Sequence, residues 1–284
     1  MFTWFNGKHD FLQYVTQIKS YQLEAERHLS LQQEVPGYCV ACRRVRNFKV
    51  NSGVYFGPLP NLREGLVCEC GLSNRNRLIY SAIALETEDH SDVQMAILER
   101  TSILYKRLQE TFPEIIGSEY IAEGVQGGTL HTVCGISVRH ESITGLSFSS
   151  GSLDVIVHND VLEHVFDYRK ALEELYRVLR NGGSLIFTCP FFFRLDRELQ
   201  KARILADGSL ELLMEPEYHG DPINAKGALT FYHYGWGLLD DLIRCGFRDV
   251  RVGVNYDVFS GLVSNNHPEY EYGNMLPLII RAVK

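Results

Sequence analysis

Apolar positions along the chain fall into three regimes. From Phe2 to Leu31, residues Phe11, Leu12, Val15, Ile18, Tyr21 and Leu23 recur at mixed spacings of three and four. That pattern predicts a leading amphipathic helix ending before Val35-Pro36-Gly37, a cap on the rest of the chain or a surface for a homodimer. From Leu78 onward, short β-branched runs alternate with amphipathic stretches. Met95–Leu98, Glu114–Gly117, Leu153–His158, Ser184–Thr188, Asp249–Val254 and Leu278–Ala282 predict strands, and Ser102–Glu110, Tyr168–Leu179 and Gly235–Cys245 predict helices. Strands separated by helices imply βαβ units and a parallel sheet covered on both faces, an α/β fold. The expected division is a helical segment at 1–37, a middle module at 38–77 and an α/β domain at 78–284.

The middle zone is poor in apolar positions and rich in thiols. Cys39 and Cys42 form a Cys-x-x-Cys, and Cys68 and Cys70 form a tighter Cys-x-Cys. Two close thiol pairs that fold back on each other make a tetrahedral four-sulfur site, which Zn²⁺ favours. The segment between them carries Gly53, Gly57, Pro58, Pro60 and a strand-like Val54–Phe56, suited to a small zinc-ribbon-like module whose core needs a metal to be stable. No thioredoxin-like βαβ follows Cys39, so a redox pair is disfavoured. Cys134, Cys189 and Cys245 are isolated and read as small buried apolar residues. Arg63, Arg75 and Arg77 read first as solvated or carboxylate-paired, and only second as an anion-facing patch.

Composition narrows the function. The 284 residues carry 28 basic and 35 acidic side chains, a net charge of −7, so nothing draws the chain as a whole to nucleic acid or anionic lipid. No run of about 18 apolar residues predicts a membrane span, and Met1–Asp10 lacks the pattern of a secretory signal. Seven cysteines make no disulfide framework in a chain of this length. A cytoplasmic location is expected.

The most informative stretch is Leu146–Phe192. A buried strand at Leu153–His158 leads to Asn159 and Asp160, at the carboxyl end where open parallel sheets place ligands. Asp167 is a candidate N-cap for the next helix, and Gly182-Gly183 a candidate stop before the strand that ends at Pro190. The succession Val161-Leu-Glu-His-Val165, Arg177-Val-Leu-Arg-Asn-Gly-Gly183 and a strand closing on Pro190 resembles class I S-adenosylmethionine-dependent methyltransferases. It is also similar to bacterial methyltransferase-domain proteins with an amino-terminal cysteine cluster, some associated with polysaccharide synthesis, through Gly117–Tyr120, Arg139–Phe148 and Tyr232–Trp236.

The resemblance implies a Rossmann-like three-layer sandwich, S-adenosyl-L-methionine as cofactor, and a substrate-covering insertion at about 191–230. It also implies acidic residues at set places: Glu99 in the first loop, Glu119 closing the second strand on the ribose hydroxyls, and Glu141 with Ser142 against the adenine. Asn159 and Asp160 complete the implied cofactor set. The family's first loop carries Gly-x-Gly, whereas this chain has Leu98-Glu99-Arg100-Thr101-Ser102. Either the cofactor sits differently, with Arg100 or Ser102 near its carboxylate, or the site has lost it and the fold serves as a binding module. For methyl transfer to a small-molecule or carbohydrate hydroxyl or amine, a base is useful and His suits neutral pH. His219, Asp221 and His233 lie in or beside the covering segment and rank ahead of His164; they are also a minor candidate for a metal site.

Overall fold

The leading helical pattern resolves into a short strand, β1 (Thr3–Phe5), and one long helix, α1 (Lys8–Ser30). Phe2, Trp4 and Phe5 are aromatic residues that suit a pleated, half-buried surface better than a helix start. The computed structural model describes residues 1–50, 53, 55–56, 58–88, 92–221, 223–267 and 275–284. Internal contacts gather residues 1–89, 192–194 and 251–280 into a first unit and residues 90–191, 195–250 and 281–284 into a second. Among the described residues no helix is long and apolar enough to cross a membrane.

In the first unit, β2 (Glu34–Cys39) and β3 (Arg44–Lys49) form an antiparallel hairpin, with Cys39 opposite Arg44. A second small ribbon pairs β4 (Tyr55–Phe56) with β5 (Leu59–Pro60); Val54 and Gly57 lie outside the described residues. The one-turn helix α2 (Leu62–Gly65) leads to β6 (Val67–Cys68), which adds to the hairpin through Phe48 and Lys49. Helix α3 (Asn74–Thr87) follows, capped by the Ser73 hydroxyl accepting from the Asn76 amide. Leu29, Phe48, Val50, Leu62, Leu66 and Val263 pack with Cys39 and Cys68 into the core of this unit.

A charge sits inside that core. Arg77 is fully buried, and its guanidinium donates to the carbonyls of Leu66, Leu72, Ser260 and Gly261 at 2.7–3.3 Å while lying 4.2 Å over the Phe48 ring. Gly261, at φ +62°, is required there, because a Cβ would stand 2.6 Å from the guanidinium. Arg63 and Arg75 do pair with a carboxylate, that of Glu64, at 2.7 and 2.8 Å. Arg77 belongs to neither of the readings offered by its sequence.

The second unit is built on strands β7 (Met95–Ile97), β8 (Ile116–Glu119), β9 (Leu130–Val133), β10 (Ile136–His140), β11 (Leu153–Asn159) and β12 (Leu179–Thr188). Helix α4 (Ile103–Thr111) joins β7 to β8, and α5 (Tyr168–Val178) joins β11 to β12. The order across the sheet is β1-β19-β20-β12-β11-β7-β8-β10-β9, where β19 is Arg248–Val254 and β20 is Leu278–Val283. The pairs β12·β11, β11·β7, β7·β8 and β8·β10 are all parallel, and β9 is antiparallel to β10. Chain order among the parallel strands therefore reverses between β7 and β11. In an open α/β sheet that is where a crevice for a ligand forms, outside the carboxyl ends.

The small residues after α5 do not act as its stop. The helix ends at Val178, and Arg180–Gly183 bulge within β12, whose register against β11 jumps there. After β12 come three two-stranded ribbons: β13 (Leu199–Gln200) with β18 (Tyr232–His233), β14 (Ala202–Ile204) with β15 (Leu210–Leu212), and β16 (Tyr218–His219) with β17 (Ala228–Leu229). Helix α6 (Gly237–Cys245) then packs on α5, where the Tyr168 hydroxyl donates to Asp241 at 2.5 Å. Replacing Arg77 with Met leaves four buried carbonyls without their donor. The expected loss of unfolding free energy is about 3 kcal/mol or more, read by chemical denaturation; a loss below about 1 kcal/mol would show that the buried charge contributes little.

Candidate functional site

Three constellations carry chemistry, two at the sheet edge of the second unit and one in the first unit. At the carboxyl end of β7 the chain runs Leu98-Glu99-Arg100-Thr101-Ser102 into α4, whose cap is the Ser102 hydroxyl accepting from the Tyr105 amide at 3.0 Å. Glu119 closes β8 beside this loop. Its Oε1 accepts from the amides of Arg100 and Thr101 at 2.9 and 2.8 Å and from the Thr101 hydroxyl at 2.7 Å. Oε2 makes no hydrogen bond among the described residues. The Arg100 side chain folds back, 4.3 Å over the Tyr105 ring, and a Cβ on Gly117 would collide with the Cε2 of that ring and stand 2.8 Å from the Arg100 Cδ. That crowding is why residue 117 is a glycine.

A nucleoside sugar was the group expected against Glu119, and the donor set fits it in part. One carboxylate oxygen fastens the loop, and the other is left to accept from a hydroxyl. Glu99 lies partly exposed just beyond β7. Asn159 and Asp160 stand at the end of β11, where the Thr188 hydroxyl reaches both side-chain oxygens, Asp160 at 2.8 Å. Asp160 takes a left-handed φ of +51°, turning the chain sharply away from the sheet. Glu141 is directed inward: its side chain is 1% exposed, and Arg139, the Ser147 amide and the Ser147 hydroxyl donate to it at 2.5–2.8 Å. The Ser142 hydroxyl bonds to that of Thr144 at 3.0 Å. Glu119, Asn159 and Asp160 thus lie at the strand ends, while Glu141 fastens its own loop.

The second constellation surrounds the 3₁₀ turn Leu162–His164, which follows β11. Three bonds tie the post-β12 segment to it: the Phe231 amide to the Glu163 carbonyl at 2.7 Å, His164 Nδ1 to the Leu229 carbonyl at 2.9 Å, and the Tyr234 hydroxyl to the Leu162 carbonyl at 2.9 Å. This delivers His219 against Glu163, Nδ1 to Oε1 at 3.5 Å, with its ring 4.9 Å from that of His164. Glu217, unremarked in the sequence, bridges the two candidate histidines. Its Oε1 accepts from His219 and its Oε2 from His233, both at 2.9 Å, and Lys201 also donates to Oε2 at 2.6 Å. Burial opposes charge on His219, but Glu163 and Glu217 on its two sides raise it to about 9. His219, His233 and Lys201 together hold the Glu217 carboxyl far below the usual range. Asp221 closes a turn by accepting from the amides of Ile223 and Asn224. The acid joining His219 to His233 is therefore Glu217, and the signal was its spacing: residues two apart on an extended segment face the same way.

In the first unit the four thiols of Cys39, Cys42, Cys68 and Cys70 converge, one ligand atom from each lying within 4.8 Å of the others. Cys39 and Cys70 sulfurs are 3.8 Å apart. A tetrahedron of thiolates bonded at about 2.3 Å has edges of about 3.8 Å, so the donor set fits a metal ion. The tight Cys-x-Cys half is accommodated because the Cys70 amide donates back to the Cys68 sulfur at 3.5 Å and Gly71 takes φ +91°. Arg77 stands close enough for the cysteines to favour its charge, and burial lowers it only to about 10. The guanidinium, whose charge burial opposes and the cysteines favour, thus stands beside the four sulfurs.

The parallel order with its reversal is that of a Rossmann-like α/β sheet. Residues 101–187 match the family described as a methyltransferase domain, under a third of the chain. A stretch of 55 residues is 34% identical to a protein of Mycolicibacterium smegmatis described as a probable S-adenosylmethionine-dependent methyltransferase, covering 19% of this chain and 21% of that protein. The match thus spans about a fifth of that curated relative. Among solved structures, an S-adenosylmethionine-dependent methyltransferase from Mesorhizobium loti is 17% identical with a TM-score of 0.45, over 73% of this chain and 98% of that one. A Haemonchus contortus phosphoethanolamine N-methyltransferase is 12% identical with a TM-score of 0.37, over 63% and 38%.

Glu119 fastens the first loop, and replacing it with Ala should release that loop. Hydrogen exchange at the Arg100 and Thr101 amides is expected to quicken at least about tenfold, since each loses a charge-assisted bond. Unchanged exchange would mean that the loop is held by other contacts.

Proposed function

We propose that the second unit binds S-adenosyl-L-methionine and transfers its methyl group to a hydroxyl or amine of a small-molecule or carbohydrate-related acceptor. The observation that carries this reading is the placement of Glu119, with an unengaged Oε2, at the strand ends beside the reversal of chain order. The methyltransferase-domain match over residues 101–187 supports it. When bound, the cofactor supplies an electrophilic methyl group on sulfonium sulfur. The chain's own residues then have three tasks. Glu119 Oε2 accepts from a ribose hydroxyl, while Oε1 keeps the glycine-less loop in place. Asn159 and Asp160 line the end of β11. The segment after β12 covers the acceptor and brings His233, with Glu217 on its Nε2, to receive the acceptor's proton. His219, held between the carboxylates of Glu163 and Glu217, orients this segment.

We further propose that the four-cysteine cluster holds one structural Zn²⁺, with Arg77 as its buried counter-charge. The converging sulfurs and the 3.8 Å edge support it. One feature favours a second reading of the larger unit, a methyltransferase fold kept for binding without catalysis. The amides of the first loop are given to Glu119, and the loop lacks the glycines that let backbone approach the cofactor in the family resembled here.

Titration calorimetry with the demethylated cofactor separates the two readings. Binding near one equivalent, weakened about tenfold or more by Glu119→Ala, is expected; no heat at millimolar ligand would favour the binding module. If transfer is found, His233→Ala should lower kcat by about 10²-fold or more with little change in cofactor affinity. Metal analysis should find zinc in the purified chain, lost with Cys39→Ser together with a lower melting temperature.

A further inference from the structure

We infer that Glu163, His164 and His219 form a binding site for a divalent transition-metal ion, separate from the four-cysteine cluster. One ligand atom from each of the three lies within 4.8 Å of the others. Glu163 is fully buried, and neither of its carboxylate oxygens accepts a hydrogen bond. A buried carboxylate in that condition is costly unless a cation faces it. Glu26, in the first unit, shows the ordinary solution: also buried, it accepts from the Ser264 amide and hydroxyl and the Tyr256 hydroxyl at 2.6–3.1 Å. Glu163 faces imidazole nitrogens instead, His219 Nδ1 at 3.5 Å and His164 Nε2 at 3.7 Å.

The hydrogen bonds on the far side of each ring decide which nitrogen can bind a metal. His164 Nδ1 is 2.9 Å from the Leu229 carbonyl, which can only accept, so Nδ1 carries the hydrogen and Nε2 presents its lone pair toward Glu163. His219 Nε2 is 2.9 Å from the Glu217 carboxylate, so Nε2 keeps its hydrogen and Nδ1 is the nitrogen that gives up its proton to a metal ion, presenting its lone pair toward Glu163. A metal-ligating imidazole is oriented in this way, by a carbonyl or carboxylate on its other nitrogen. With metal bonds of about 2.0–2.2 Å, a tetrahedral edge is about 3.4 Å, so the two observed spacings need to close by only a few tenths of an ångström. Two imidazoles and one carboxylate suit zinc, iron(II), manganese or cobalt and leave positions open to an exogenous ligand. The site does not depend on methyl transfer, since it is measured on the chain alone.

Cobalt(II) titration of EDTA-treated full-length protein, followed by metal analysis and absorption spectroscopy, tests this. Two equivalents are expected, one with sulfur-to-cobalt charge-transfer absorption and one without. Glu163→Gln, which keeps size and shape, and separately His219→Gln should each weaken the second equivalent at least about a hundredfold and leave the sulfur band unchanged. Cys39→Ser should do the reverse. A chain that binds one cobalt and only through sulfur overturns the proposal, as does a second equivalent that persists in both variants; in either case a proton on His219 is the cation that Glu163 faces. A chain binding one cobalt that Glu163→Gln abolishes supports the site and counts against the four-cysteine one.

Discussion

A charge taken out of water must meet another charge or a full set of hydrogen bonds, and this requirement organises both units. Arg77 meets it with four carbonyls and an aromatic face, and in doing so ties together the Leu66–Leu72 stretch and the Ser260–Gly261 turn. Glu26 meets it with two hydroxyls and an amide. Glu163 meets it with two imidazoles that approach without hydrogen bonding. The hydrophobic residues around these groups supply most of the burial, but they would pack in many arrangements. The charged groups allow few.

At the sheet edge, a carboxylate takes over work that glycines do elsewhere. A Gly-rich turn leaves its amides pointing into the crevice and lets a ligand come close. Here the amides of Arg100 and Thr101 turn to Glu119, so the loop is ordered by its own protein before any ligand arrives. The same side chain that would meet a ribose is also the loop's anchor. A ligand hydroxyl on Oε2 would consequently be coupled to loop order through the two oxygens of one group.

Much of this was legible in the sequence. Apolar periodicity located α4, α5 and α6 and most strands of the parallel sheet, since burial on both faces leaves a strong β-branched signature. Strand β8 lies at Ile116–Glu119, two residues beyond the expected Glu114–Gly117, so Glu119 ends the strand itself. The thiol spacing pointed to convergence because the two pairs sit at the ends of short hairpins. What the sequence hid were contacts made by chain reversal over long distances. Arg77 reads as a surface cation until Ser260 and Gly261 come round to it. Glu217 reads as one more acidic residue until His219 and His233 meet it from two different ribbons. Glu141 had the right type and place for a ligand, yet Arg139 and Ser147, its near neighbours, claim it.

The ribbons after β12 are bonded to the 3₁₀ turn of the second unit at Leu162, Glu163 and His164. Two of those three bonds end on main-chain carbonyls of the turn and the third on a carbonyl of the ribbon, so they are indifferent to most of the ribbon's side chains. The side chains of the ribbons can therefore change widely while the parallel sheet and its strand ends stay as they are.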